Sequence, residues 1–63
     1  MPIVQISMIA GRTPEKKEQL IKKVTGAIVE ALQVPADVVH IVIHDIPKEN
    51  IGDAGVPLSK KNP

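Results

Sequence analysis

The chain predicts an α/β fold (α+β in some schemes): a single β-α-β unit with parallel strands and a short C-terminal hairpin, its sheet completed by other copies. Three observations lead there. An alternating β-branched stretch opens the chain, a long stretch of helical period follows, and a second β-branched stretch comes after it. All of this fits within 63 residues containing neither cysteine nor aromatic side chains.

The first strand is expected over Ile3 to Ala10. Val4, Ile6 and Met8 fall on one side, and Ile3, Gln5, Ser7 and Ile9 on the other,. Only Gln5 and Ser7 are polar on the second side, so both faces of the sheet are expected to be covered. Gly11-Arg12-Thr13-Pro14 then turns the chain into a helix. Thr13 is the expected N-cap and Pro14 the first helical residue, where a missing N–H is harmless. Glu15 places negative charge at the positive end of the helix dipole.

From Pro14 to about Leu32 the apolar positions Leu20, Ile21, Val24, Ala27, Ile28, Ala31 and Leu32 trace one helical face,. Gly26 is a weak point worth roughly 1 kcal/mol against Ala. Val34-Pro35 is expected to end the helix, because the residue before proline avoids helical angles. The second strand is expected over Val38 to Ile46, stopped by Pro47. There Val39, Ile41 and Ile43 oppose His40, Val42 and His44. Residues 51–63, with Gly52, Gly55 and Pro57, are expected to form turns with a short hairpin. No repeat or linker divides the chain, so residues 1–63 are expected to form one domain.

A domain this short hides only about 60% of the surface its unfolded chain exposes. Without cysteine, neither a disulfide nor a thiolate metal site can stabilise it,. Without aromatic residues, each core position buries less area than usual. Two strands and one helix also leave sheet edges open. Self-association is therefore the expected source of stability, at least as a dimer.

The net charge of +1 comes from interspersed charges. No basic stripe or stacking aromatic points to nucleic acid. No apolar stretch approaches the ~18 residues of a membrane span, and the N-terminus lacks a signal-peptide pattern. No membrane or nucleic-acid partner, metal, nucleotide or organic cofactor is expected. A cysteine-free chain fits a cytoplasmic location.

Two residues offer chemistry. Pro2 would become a terminal secondary amine once Met1 is removed. A terminal amine titrates nearer neutrality than a lysine, roughly pH 8 against above 10. Burial or nearby positive charge disfavours its ammonium form further. A neutral amine can take a proton beside a carbonyl and return it elsewhere. Arg12 offers a planar fork that matches a carboxylate. Read singly, each also has a plain interpretation: a restrained chain start and a solvated turn arginine. Asp45, Glu49 and Asp53 read as solvated.

Met-Pro-Ile-Val-Gln-Ile at the start, Gly11-Arg12-Thr13, the run with Glu15, Lys17, Leu20 and Ile21, Val42-Ile43, and Gly52 and Gly55 in the tail resemble the 4-oxalocrotonate tautomerase family. The resemblance spans nearly the whole chain and its length. It implies β-α-β chains paired into dimers with a four-stranded sheet, and three dimers forming a homohexamer. It implies an isomerase in which Pro2 moves a proton within a small unsaturated 2-oxo acid such as 2-hydroxymuconate. Arg12 matches the family arginine that binds a substrate carboxylate. The chain departs from the family at two positions. His40 stands where a second arginine, supplied by a neighbouring subunit, is usual, and Ile51 where an aromatic residue lines the pocket. His40 could donate an N–H to a developing enolate oxygen, or hold a carboxylate when protonated. Ile51 supplies apolar wall. His44 shares the His40 face and reads as a polar surface or interface residue. Hydration or dehalogenation of unsaturated acids on the same scaffold, and a non-catalytic oligomeric homologue, are the alternatives.

Overall fold

The computed structural model describes residues 1–61; Asn62 and Pro63, the end of the expected tail, lie outside the described residues. The order is β1 (Ile3–Ile9), α1 (Pro14–Leu32), β2 (His40–Ile46), then a small hairpin of β3 (Gly52–Asp53) and β4 (Val56–Pro57). Short 3-10 turns at Ala36–Val38, Lys48–Asn50 and Leu58–Lys60 join and close these elements.

β1 and β2 pair in parallel, with Ile3 opposite His40, Gln5 opposite Val42 and Ser7 opposite His44. Such a pair needs a long crossover, which α1 supplies. Val4, Ile6, Ile41 and Ile43 alternate with these residues and are half-buried on the helix side. Lys17 of α1 forms an ion pair with Asp45 of β2, so Asp45 joins helix to sheet and is not simply solvated. Asp53 likewise pairs with Lys61, at 3.1 Å.

The ends of the helix follow local chemistry. The Thr13 hydroxyl accepts from the Lys16 N–H at 3.2 Å, and Pro14 occupies the first turn,. The helix stops at Leu32, before the expected Val34-Pro35 boundary, because Gln33 turns left-handed (φ 56°, ψ 49°) and its N–H returns to the Val29 carbonyl at 2.9 Å,. β2 starts at His40 and not Val38, since Val38 and Val39 direct their N–H groups to Pro35 and Ala36 in a 3-10 turn. β1 ends one residue earlier than expected, although the Ala10 N–H still reaches the Ile46 carbonyl at 2.9 Å.

The half-buried helix positions are Lys17, Leu20, Val24, Thr25, Ile28 and Val29. Ile21, Ala27, Ala31 and Leu32, expected on the packed face, are exposed, and Leu32 keeps 56% of its surface. The reason is width: two strands about 4.8 Å apart cannot cover the flanks of a helix about 10 Å across.

No described side chain is buried. The radius of gyration is 14.9 Å, against about 11 Å for a compact domain of this length,. The molecule measures 43 × 23 × 13 Å. Its thin dimension is one helix on one sheet, with the far sheet face left open. Ile3 on that face is 61% exposed.

Candidate active site

Pro2 sits immediately before β1 and is half-buried. Its carbonyl accepts from the His40 N–H at 3.0 Å, which extends the parallel pairing by one bond and fixes the terminus against β2. Strand alternation gives Pro2 the helix side, with Val4 and Val39. The same alternation gives His40 the open face, beside Ile3. Pro2 and His40 are thus tied through backbone, while their side chains belong to opposite faces of one sheet.

Arg12 is exposed and lies beyond the other end of β1, after Gly11 (φ 125°) and directly before the Thr13 cap. The turn requires that left-handed angle, which glycine adopts freely. It places Arg12 two residues before the first residue of α1, whose N-terminal end carries partial positive charge and free N–H groups that favour an anion,. β1 has seven residues, about 23 Å at ~3.3 Å each,. A side chain cannot span that length, so one chain does not bring its own Pro2 and Arg12 together.

Ile51 also lies beyond the Arg12 end of the parallel strands, five residues past the end of β2. It is half-buried and held twice: its N–H donates to Lys48 at 3.2 Å, and its carbonyl accepts from the Leu58 N–H at 2.8 Å. His44 is exposed on the open face, one strand turn beyond Val42, paired in register with Ser7. The four proposed site residues therefore fall into two groups, Pro2 with His40 and Arg12 with Ile51, at opposite ends of the sheet. Among the described residues the lone chain forms no pocket.

Residues 2–61 match the model of the tautomerase enzyme family. The chain belongs to that family. A 2-hydroxymuconate tautomerase of Comamonas testosteroni is 54% identical over 56 residues, covering 89% of each chain. Among solved structures, a 4-oxalocrotonate tautomerase isozyme of Methylibium petroleiphilum is 48% identical and superposes with a TM-score of 0.86, covering 92% of this chain and 94% of that one. A heterohexameric 4-oxalocrotonate tautomerase of Chloroflexus aurantiacus reaches a TM-score of 0.90 at 26% identity, covering 98% of this chain and 100% of that one. This tautomerase is accordingly an isomerase, and its β-α-β unit with a terminal hairpin is the fold of these neighbours.

The hydrogen bond between His40 and Pro2 had no signal in the sequence, since it depends on a strand register that periodicity does not fix. The Lys17–Asp45 pair was equally hidden, because its partners lie 28 residues apart.

Proposed function

We propose that this tautomerase moves a proton within a small unsaturated 2-oxo acid of the 2-hydroxymuconate type, using the Pro2 nitrogen as base and then acid. With Met1 attached that nitrogen is an amide and cannot accept a proton. Met1 is 82% exposed and precedes the first strand, so the bond joining it to Pro2 is open to an aminopeptidase. The mature residue is a secondary amine whose carbonyl is already anchored.

The chemistry balances without a co-reactant. The amine takes the proton of the 2-hydroxyl. The oxygen forms the C2 carbonyl, the C2–C3 double bond moves to C3–C4, and the C4–C5 pair takes the proton back at C5. Substrate and product are isomers. Arg12 binds a substrate carboxylate and so orients the reacting carbons relative to the amine. Ile51 gives the carbon chain an apolar wall, and His40 donates an N–H to the developing enolate oxygen.

The observation that carries this reading is the separation of Pro2 from Arg12 by the length of β1. A two-fold axis normal to a sheet runs an edge strand of one copy antiparallel to its mate. The Pro2 end of one chain then meets the Arg12 end of the other, and each dimer holds two complete sites. Open edges, an open face and the absence of any buried described side chain favour further assembly, and we take a homohexamer, three dimers, as the working unit in the cytoplasm.

The test is turnover of 2-hydroxymuconate by protein whose mass shows Met1 removed. Pro2→Ala should lower kcat by about 100-fold or more, within the range for losing a general base, and protein retaining Met1 should be inactive. Equal turnover by wild-type protein and Pro2→Ala would remove Pro2 from the mechanism.

A further inference from the structure

We propose that Lys17 and Asp45 are positioning residues for Arg12: their ion pair closes a ring around the turn that carries the guanidinium, and so holds it where a substrate carboxylate binds. This deepens the reading above and rests on it.

The ring can be followed residue by residue. β1 ends at Ile9, and the Ala10 N–H donates to the Ile46 carbonyl at 2.9 Å, which ties the start of the turn to the end of β2. Gly11, Arg12 and Thr13 follow. The Thr13 carbonyl accepts from the Lys17 N–H at 3.1 Å, which ties the end of the turn to α1. The Lys17 side chain then pairs with Asp45, the neighbour of Ile46 on β2. Sheet, turn and helix thus form one closed circuit, with Arg12 inside the turn.

Every link but one is backbone. The Lys17–Asp45 pair is the side-chain link, so it is the one that a substitution opens. Register makes the link possible. Asp45 stands opposite Met8, on the helix side of the sheet, at the last position but one of β2. Lys17 is the fourth residue of α1, close to the turn it closes. All the links lie within one chain, so the circuit does not depend on how copies assemble.

Arg12 needs such support. Among the described residues no carboxylate pairs with its guanidinium, so its direction comes from the backbone of its turn. That backbone contains Gly11 at φ 125°, the residue type with the widest choice of angles,. Opening the ring lets the turn and the start of α1 shift about Gly11. The guanidinium then occupies the binding geometry for a smaller fraction of the time, and carboxylate affinity falls by that fraction. The Pro2 chemistry is untouched.

Positioning and plain charge predict different signs. Lys17→Ala removes a positive charge, which alone would raise KM for an anion. Asp45→Ala removes a negative charge, which alone would lower it. If the pair acts by holding the turn, both substitutions raise KM.

The experiment compares mature wild-type protein with Lys17→Ala, Asp45→Ala, the double variant and Asp45→Glu. The probe is 2-hydroxymuconate, at a protomer concentration where each variant sediments as the wild type does. KM should rise about threefold in both single variants, the scale of one exposed ion pair, with kcat unchanged. The double variant should be no worse than either single one, because the ring is already open. Asp45→Glu keeps a carboxylate for Lys17 and should keep the wild-type KM. A lowered or unchanged KM in Asp45→Ala, or a loss in kcat alone, overturns the proposal while leaving Pro2 and Arg12 in their roles. An unchanged KM in Arg12→Ala overturns instead the reading of Arg12 on which the proposal rests.

Discussion

The His40 amide donates to the Pro2 carbonyl at 3.0 Å, so the first residue of the mature chain is anchored to the second strand of its own sheet. Arg12 sits past the opposite end of that sheet. The anchor prevents Pro2 from swinging toward Arg12, and the strand between them is rigid. Pro2→Ala and Arg12→Ala should each be nearly inactive alone. Unfolded together at equal amounts and refolded, they should recover about one quarter of wild-type kcat/KM, since in a two-fold pair one site in four draws an intact Pro2 and an intact Arg12 from different copies. No recovery, with co-assembly shown by native mass spectrometry, would place both residues in one chain's site.

The open sheet face makes a second prediction. Val42 lies at its centre between His40 and His44 and is 40% exposed in the single chain. If other copies cover this face, Val42→Asp buries an unpaired carboxylate and should break the assembly into smaller species at micromolar concentration. Gln19→Asp, on the outward side of α1, should leave the sedimentation coefficient unchanged. Equal sedimentation of both variants and the wild type would mean that the face stays open.

Strand, helix, strand and hairpin were legible in the sequence because each has its own period or punctuation. Thr13-Pro14 marked the helix start, and the structure uses both residues as read. The helix spans the Pro14 to Leu32 stretch that the apolar period marked, but what closes it is Gln33 turning left-handed, two residues before Pro35, the stop visible in the sequence. The width of the packed stripe was misread. Periodicity shows that Ile21 and Leu32 share a side with Leu20 and Ile28, but how much sheet lies beneath them is a property of assembly. For the site, residue chemistry suggested Pro2 and Arg12, and family resemblance added His40 and Ile51. Their division between two ends of the sheet needed the register.

The Lys17–Asp45 ion pair is the one described side-chain bridge between α1 and the sheet. Its side chains keep 29% and 36% of their surface, so water screens it. A double-mutant cycle of Lys17→Ala and Asp45→Ala should give a coupling of about 0.5 kcal/mol, typical of exposed pairs. Urea unfolding at one fixed protomer concentration measures it, because association contributes to stability. A coupling several times larger would mean that assembly buries the pair.

The β3–β4 turn holds Ala54 at φ 54° and Gly55 at φ 83°. Two-residue hairpin turns favour positive φ at both central positions, and Asn-Gly meets that demand best. Alanine pays a steric penalty in this region that asparagine partly avoids through local hydrogen bonding. Ala54→Asn should therefore stabilise the protein by about 0.5 kcal/mol. Gly55→Ala should destabilise it by about 1 kcal/mol. No neighbouring atom lies within 4 Å of a Cβ built at Gly55, so that loss would be conformational and not a clash. Thermal midpoints at equal protomer concentration check both signs. A lower midpoint for Ala54→Asn would show that the hairpin tip makes contacts in the assembly that the larger side chain disturbs.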